Sequence, residues 1–118
     1  MKGMPDPSHL LVARVHGVAV RSAELAVAAQ ELAASCGPQD GCLSFDVLVQ
    51  PEARSELVLV SAWLSEKDMR AHFASAAYGR YVSAVTDLLT RPSDVTIHSI
   101  SGTVHPIPDL SLEPQRAS

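Results

Sequence analysis

The stretch Leu57–Phe73, LVLVSAWLSEKDMRAHF, changes its periodicity midway, and that change limits what the chain can fold into. Leu57, Val58, Leu59 and Val60 form a short apolar run preceded by charged residues, which reads as a strand. Ser65 then offers a helix N-cap, and Asp68 occupies the acidic position of a capping box. Leu64 and Met69 stand at the positions of a hydrophobic staple. A strand running straight into a helix makes a sharp corner. Trp63, the single tryptophan, lies at the end of that strand, and His72 lies two turns into the helix. The corner can therefore bring an indole and an imidazole together over one cavity.

The rest of the chain alternates between the same two periods. His9–Val20 (HLLVARVHGVAV) is rich in strand formers, with Leu11, Ala13 and Val15 on one face and Leu10, Val12, Arg14 and His16 on the other. Ser22–Cys36 reads as a helix, because Leu25, Ala29, Leu32 and Cys36 recur at helical spacing and Gly37-Pro38 stops it. Its alanines allow close approach to a sheet. Gly41–Gln50 is a second strand, Pro51–Ser55 a hairpin loop, and Glu56–Leu64 a third strand. A short helix over Glu66–Ala74 follows the corner, then a helical segment over Ala76–Leu89. Its apolar stripe is Tyr78, Tyr81 or Val82, Val85, and Leu88 or Leu89. Pro92 ends it, and Asp94–Ser101 is a fourth strand with β-branched residues.

A length of 118 residues suits one domain. The expected division is a disordered leader at 1–8, a single domain at 9–105 and a Pro/Ser-rich tail at 106–118. The order strand, helix, strand, strand, helix, strand is the ferredoxin-like split βαβ arrangement. It is an α+β fold with a four-stranded antiparallel sheet and helices on one face. The strands carry apolar side chains on both faces, so the uncovered face needs a partner. A second copy of the chain supplies one, and a homodimer is expected.

A net charge of −4 argues against a nucleic-acid partner. No apolar run reaches the roughly 18 residues needed to span a bilayer. MKGMPDPSHL has no apolar h-region of a signal peptide, so a cytoplasmic location is expected. Cys36 and Cys42 flank a Gly-Pro-Gln-Asp-Gly turn without CxxC or zinc-ligand spacing and read as free thiols. His16, His98 and His105 fall on segments that this topology can make neighbours, yet their spacing is not that of a metal site, and no metal is expected.

Three segments resemble the antibiotic-biosynthesis monooxygenase domain family: LLVARV at 10–15, GPQDGCLSFDV at 37–47 and SAWLSEKDMRAHFAS at 61–75. The resemblance extends over Leu10–Ser101. It implies a dimeric α+β barrel in which each subunit keeps a pocket between its sheet and its helices. It also implies an oxidoreductase that uses dioxygen, without metal, flavin or other cofactor, to turn a small aromatic polyketide-type phenol or anthrone into a quinone. Trp63 and His72 match the family's pocket Trp and helix His, and on that basis are the catalytic candidates. The chain departs from the family at Ser61, where Glu is frequent, and at Leu59, where quinone-forming members can use Asn. It contains no Asn at all, which counts against the haem-degrading branch.

His72 is the expected acid/base, because imidazole titrates near neutral pH. Trp63 would stack on the substrate. Tyr78 and Tyr81, three apart and so adjacent on their helix, would bind it together with Phe73. Arg14, and less directly Arg80, could stabilise a developing phenolate. Each has a plain alternative: the aromatics as core filler, His72 as a structural histidine, the arginines as solvated charges. Two other functions fit the same fold, a non-catalytic small-molecule binding or accessory dimer and a haem-binding protein with His72 as axial ligand.

Overall fold

The computed structural model describes residues 5–106, so most of the expected tail and the first half of the expected leader lie outside the described residues. Four strands, β1 (His9–His16), β2 (Cys42–Gln50), β3 (Ala53–Trp63) and β4 (Asp94–Ser99), form one antiparallel sheet in the order β2-β3-β1-β4. Three helices, α1 (Ser22–Ala34), α2 (Glu66–Phe73) and α3 (Ala76–Val85), pack on one face of it. This is the expected ferredoxin-like α+β architecture. No helix among the described residues is long and apolar enough to cross a membrane.

The strand pattern decides which face is covered. Val15, Leu57 and Leu59 point toward α1 and α3, where they meet Leu25, Ala28, Ala29, Val85 and Leu88. Each Val or Leu side chain among these, fully buried, contributes about 1.5–3 kcal/mol of apolar transfer. The small Ala28 and Ala29 let α1 lie close against the sheet. A second cluster joins Leu11, Cys42, Trp63 and Met69 beneath α2. On α3 the inward stripe runs through Tyr81, Val85 and Leu88, while Val82 is exposed.

Several boundaries differ from the sequence reading. β1 stops at His16 instead of Val20 because Gly17 passes directly under Leu25, and Val18 bonds to Leu88. A short 3-10 turn over Ala19–Arg21 leads into α1 instead. β3 starts at Ala53, since Gln50 pairs with Ala53 and shortens the hairpin turn. α3 ends at Val85 and continues as a 3-10 turn over Thr86–Leu88, and β4 ends at Ser99.

The corner after β3 is built as its residues suggest. The Asp68 backbone N–H donates to Ser65 Oγ at 3.1 Å, and the Ser65 hydroxyl donates to Asp68 Oδ2 at 2.8 Å. The staple is not made, because Met69 enters the core while Leu64 stays exposed. Gly41, with a φ of 76°, packs against Asp68 so closely that a Cβ would fall 2.2 Å from its carboxylate. A left-handed backbone and a filled neighbour both exclude a side chain. Gly41→Ala is therefore expected to cost more than about 1 kcal/mol in urea unfolding. An unchanged midpoint would contradict this.

At the far end of the sheet, His16 ties three strands together. Its Nδ1 lies 2.6 Å from Glu56 Oε1 and its Nε2 lies 2.9 Å from Asp94 Oδ2, with Arg91 alongside. The hydrogen bonds to Asp94 and then Glu56 raise the His16 pKa above its ordinary value, and the same bond lowers that of Asp94. A raised histidine stabilises fully below its unfolded pKa of about 6.5 and loses that contribution as pH rises through the folded value. A lowered carboxylate stabilises above about 3.9 and fails as pH falls through its own depressed value. The clamp should thus be strongest between about pH 4 and 6.5. The Tm difference between the native chain and His16→Gln is expected to peak in that window and shrink above it. A pH-independent difference would contradict the assignment.

Candidate active site

Trp63 and Ser61, two residues apart on β3, share the helix-covered face. Ser61 Oγ accepts the Trp63 indole N–H at 2.9 Å, and both residues are 1% exposed. α2 then lays His72 against the indole at a ring-centroid distance of 4.9 Å. Tyr78 at 5.3 Å, Phe73 at 5.5 Å and Phe45 at 5.9 Å complete an aromatic box around the imidazole. Its Nδ1 lies 3.6 Å from Cys36 Sγ, and among the described residues Nε2 has no hydrogen-bond partner. Burial lowers the His72 pKa, so the ring is neutral at neutral pH and able to accept a proton.

His72 stands in the wall between two cavities. One is a cleft of about 340 Å³ lined by Cys36, Asp40, Trp63, Asp68, His72 and Ser75 among others. The other is apolar, about 50 Å³, and lies between sheet and helices beside Leu11, Leu59, Ser61, Phe73, Tyr78 and Tyr81. Burial pushes the Tyr81 phenol up to about 12, so it remains a neutral donor. Tyr78 and Tyr81 lie side by side at 6.0 Å.

The sequence-derived candidates are thus divided by the fold. His72, Phe73, Tyr78 and Tyr81 border the apolar cavity. Trp63 is 1% exposed, packs against His72 and borders the cleft and not the apolar cavity. Arg14 does not reach either cavity: the alternation of β1 sends it to the opposite face, beside Val58 and Asp94, where it is exposed. Arg80 is also exposed and borders neither. Among the described residues no Lys or Arg lines these two cavities, so the expected cationic stabilisation is not supplied there by them. His16, His98 and His105 do not converge; His16 is held by Glu56 and Asp94, His98 is exposed on β4, and His105 pairs with Asp6. Cys36 and Cys42 are free thiols, as read from the sequence.

Two polar members of the site, Ser61 and Cys36, were not among the candidates. Strand alternation from Trp63 places Ser61 on the pocket face, a signal open to sequence reading. Nothing in the sequence places Cys36 beside His72, because that contact joins the segment just after α1 to α2.

The sequence pattern of the antibiotic biosynthesis monooxygenase family matches residues 9–84, from the start of β1 through His72, Tyr78 and Tyr81. The chain belongs to that family. None of the curated proteins matches it. Among solved structures, a Mycobacterium tuberculosis protein is 26% identical with a TM-score of 0.74, over 82% of this chain and 98% of its own. A Nitrosomonas europaea protein, provisionally named an antibiotic biosynthesis monooxygenase, is 19% identical at a TM-score of 0.74, over 80% and 99%. One from Deinococcus radiodurans with the same provisional name reaches 0.76 at 16% identity, over 84% and 98%. At such low identities the last two likenesses bear on fold alone.

Proposed function

We propose that this protein is a cofactor-independent monooxygenase that uses dioxygen to oxidise a phenol or anthrone of the aromatic polyketide type to a quinone. The observation that supports this most is a buried, neutral imidazole in an aromatic box with Nε2 unpartnered among the described residues. In this reading Nε2 takes the substrate's acidic proton. The resulting electron-rich anion gives one electron to dioxygen, and superoxide and the substrate radical join at carbon. The peroxide loses water to leave a carbonyl, so one oxygen atom enters the product and the other leaves as water. Ser61, Tyr78 and Tyr81, which border the apolar cavity, would donate hydrogen bonds to the developing oxyanion. Trp63 acts through His72 by backing its ring.

One dimension sets a condition. Substrate pockets usually measure about 300–1,000 Å³, and the apolar cavity is far smaller. A ring system enters it only if lining side chains such as Phe73 and Tyr78 move, whereas the cleft of about 340 Å³ on the other side of His72 already lies within that range. The same dimension favours a second reading, a binding or accessory role without turnover. Dithranol titration followed by quinone formation separates the two: quinone formed faster than in protein-free solution supports the enzyme, and quenching of Trp63 fluorescence without product supports the binder.

The assembly belongs to this proposal. On the sheet face away from the helices, Leu10, Val12, Val58 and Val60 are only half-buried and Leu48 is exposed. Covering that face with a second copy gives a homodimer. Sedimentation should show a dimer that Val60→Asp dissociates; a monomer at all concentrations would refute it.

A further inference from the structure

We infer that Cys36 is a positioning residue that holds His72 in the tautomer with its proton on Nδ1, leaving Nε2 as a bare acceptor; the catalytic consequence rests on reading His72 as the base. Among the described residues, Cys36 Sγ is the only hydrogen-bond partner of the His72 ring, at 3.6 Å from Nδ1. The other neighbours of the ring are Trp63, Phe45, Phe73 and Tyr78, which meet it through their aromatic faces and edges and offer its nitrogens no acceptor. A thiol carries one proton, and its sulfur can both donate and accept weakly. Cys36 Sγ lies 3.5 Å from the Leu32 carbonyl one helical turn back, a group that can only accept. When the thiol proton goes to that carbonyl, the sulfur faces Nδ1 with a lone pair alone. Nδ1 must then be the donor.

The surroundings fit that arrangement. Ser35 Oγ gives its own proton to the same Leu32 carbonyl at 2.6 Å, so it does not compete as a donor to the imidazole. Burial raises the Cys36 pKa and keeps the thiol neutral, so it neither takes the proton from His72 nor fixes it as imidazolium. A carboxylate in the same place would favour the charged ring and abolish the base. The charged groups of the cleft are Asp40 and Asp68; Asp68 is engaged by Ser65, and Asp40 acts on His72 through space, without a hydrogen bond between them. The second nitrogen, which a substrate would meet, is thus the basic one. A histidine's tautomer is set by the bond its other nitrogen makes, and here that bond ends on sulfur.

The test is nitrogen-15 NMR of the histidine rings, which reports the tautomer without any turnover. In the native protein the His72 pattern should be that of Nδ1–H. In Cys36→Ala it should move to the Nε2–H form that free imidazole favours, and in Cys36→Ser, which keeps an acceptor, it should stay Nδ1–H. Steady-state kinetics should follow: Cys36→Ala lowers kcat about tenfold or more at unchanged KM, and Cys36→Ser recovers most of it. A native ring protonated on Nε2, or a tautomer indifferent to Cys36→Ala even if Tm falls, would overturn the inference. Failure of the catalytic reading looks different. There the native tautomer is Nδ1–H and responds to Cys36, while no quinone forms with any variant.

Discussion

Replacing His72 by alanine is expected to lower kcat for anthrone oxidation by about 10²–10⁴-fold, the range a positioned general base contributes. The apolar cavity gives no substitute. Among the described residues, the other titratable groups beside the apolar cavity are the phenols of Tyr78 and Tyr81, and burial keeps Tyr81 protonated. The expected stability cost is smaller, about 1–3 kcal/mol, because the imidazole is one ring among several in its box. His72→Gln, which keeps much of the volume, should lose turnover with less loss of stability. Because burial lowers the His72 pKa, the acid limb of the native pH–rate profile should lie below about 6.5 and vanish in these variants. Native-like kcat in His72→Ala would remove the residue from the mechanism.

The second large effect is on folding. Trp63→Ala is expected to destabilise the chain by about 3–5 kcal/mol, the usual cost of emptying a buried Trp site. The indole is 1% exposed, packs with Leu11, Cys42 and Met69, and supports His72 from behind. Its removal also leaves the buried Ser61 hydroxyl without the N–H that it accepts. A marginally stable domain has about 5–15 kcal/mol to lose, so the variant should be partly unfolded at modest urea. Circular dichroism must follow this, since the only Trp is gone. Trp63→Phe should cost less. A change below 1 kcal/mol in Trp63→Ala would mean that the corner does not depend on this ring.

The fold was legible because strand and helix periods alternate cleanly, and because local chemistry marks the sharpest turn. Ser65 and Asp68 announce the start of α2, and the corner they make brings Trp63 and His72 to 4.9 Å. The helix stripe Leu25, Ala29, Leu32 follows from spacing alone. What escaped depends on contacts between distant segments. β1 ends early because Gly17 meets Leu25, and Arg14 faces away from the site because pairing with β3 and β4 fixes its side of the sheet. The Cys36–His72 contact joins the segment after α1 to α2 across 36 residues and leaves no local mark. Trp63 illustrates the limit of motif reading: which of the two cavities beside His72 the indole borders follows from packing and not from spacing. Cavity size is likewise a product of how Phe73, Tyr78 and Tyr81 pack together, which no spacing encodes.

The most direct test of the proposed chemistry follows labelled dioxygen. Chelator-treated protein would be given dithranol under ¹⁸O₂, with oxygen uptake recorded and the quinone analysed by mass spectrometry, against protein-free solution and His72→Ala. The expected result is uptake well above the blank, one dioxygen per quinone, a single labelled oxygen in the product, and loss of the excess rate in the variant. Uptake equal to the blank with native protein, or an excess rate that survives His72→Ala, would contradict the account.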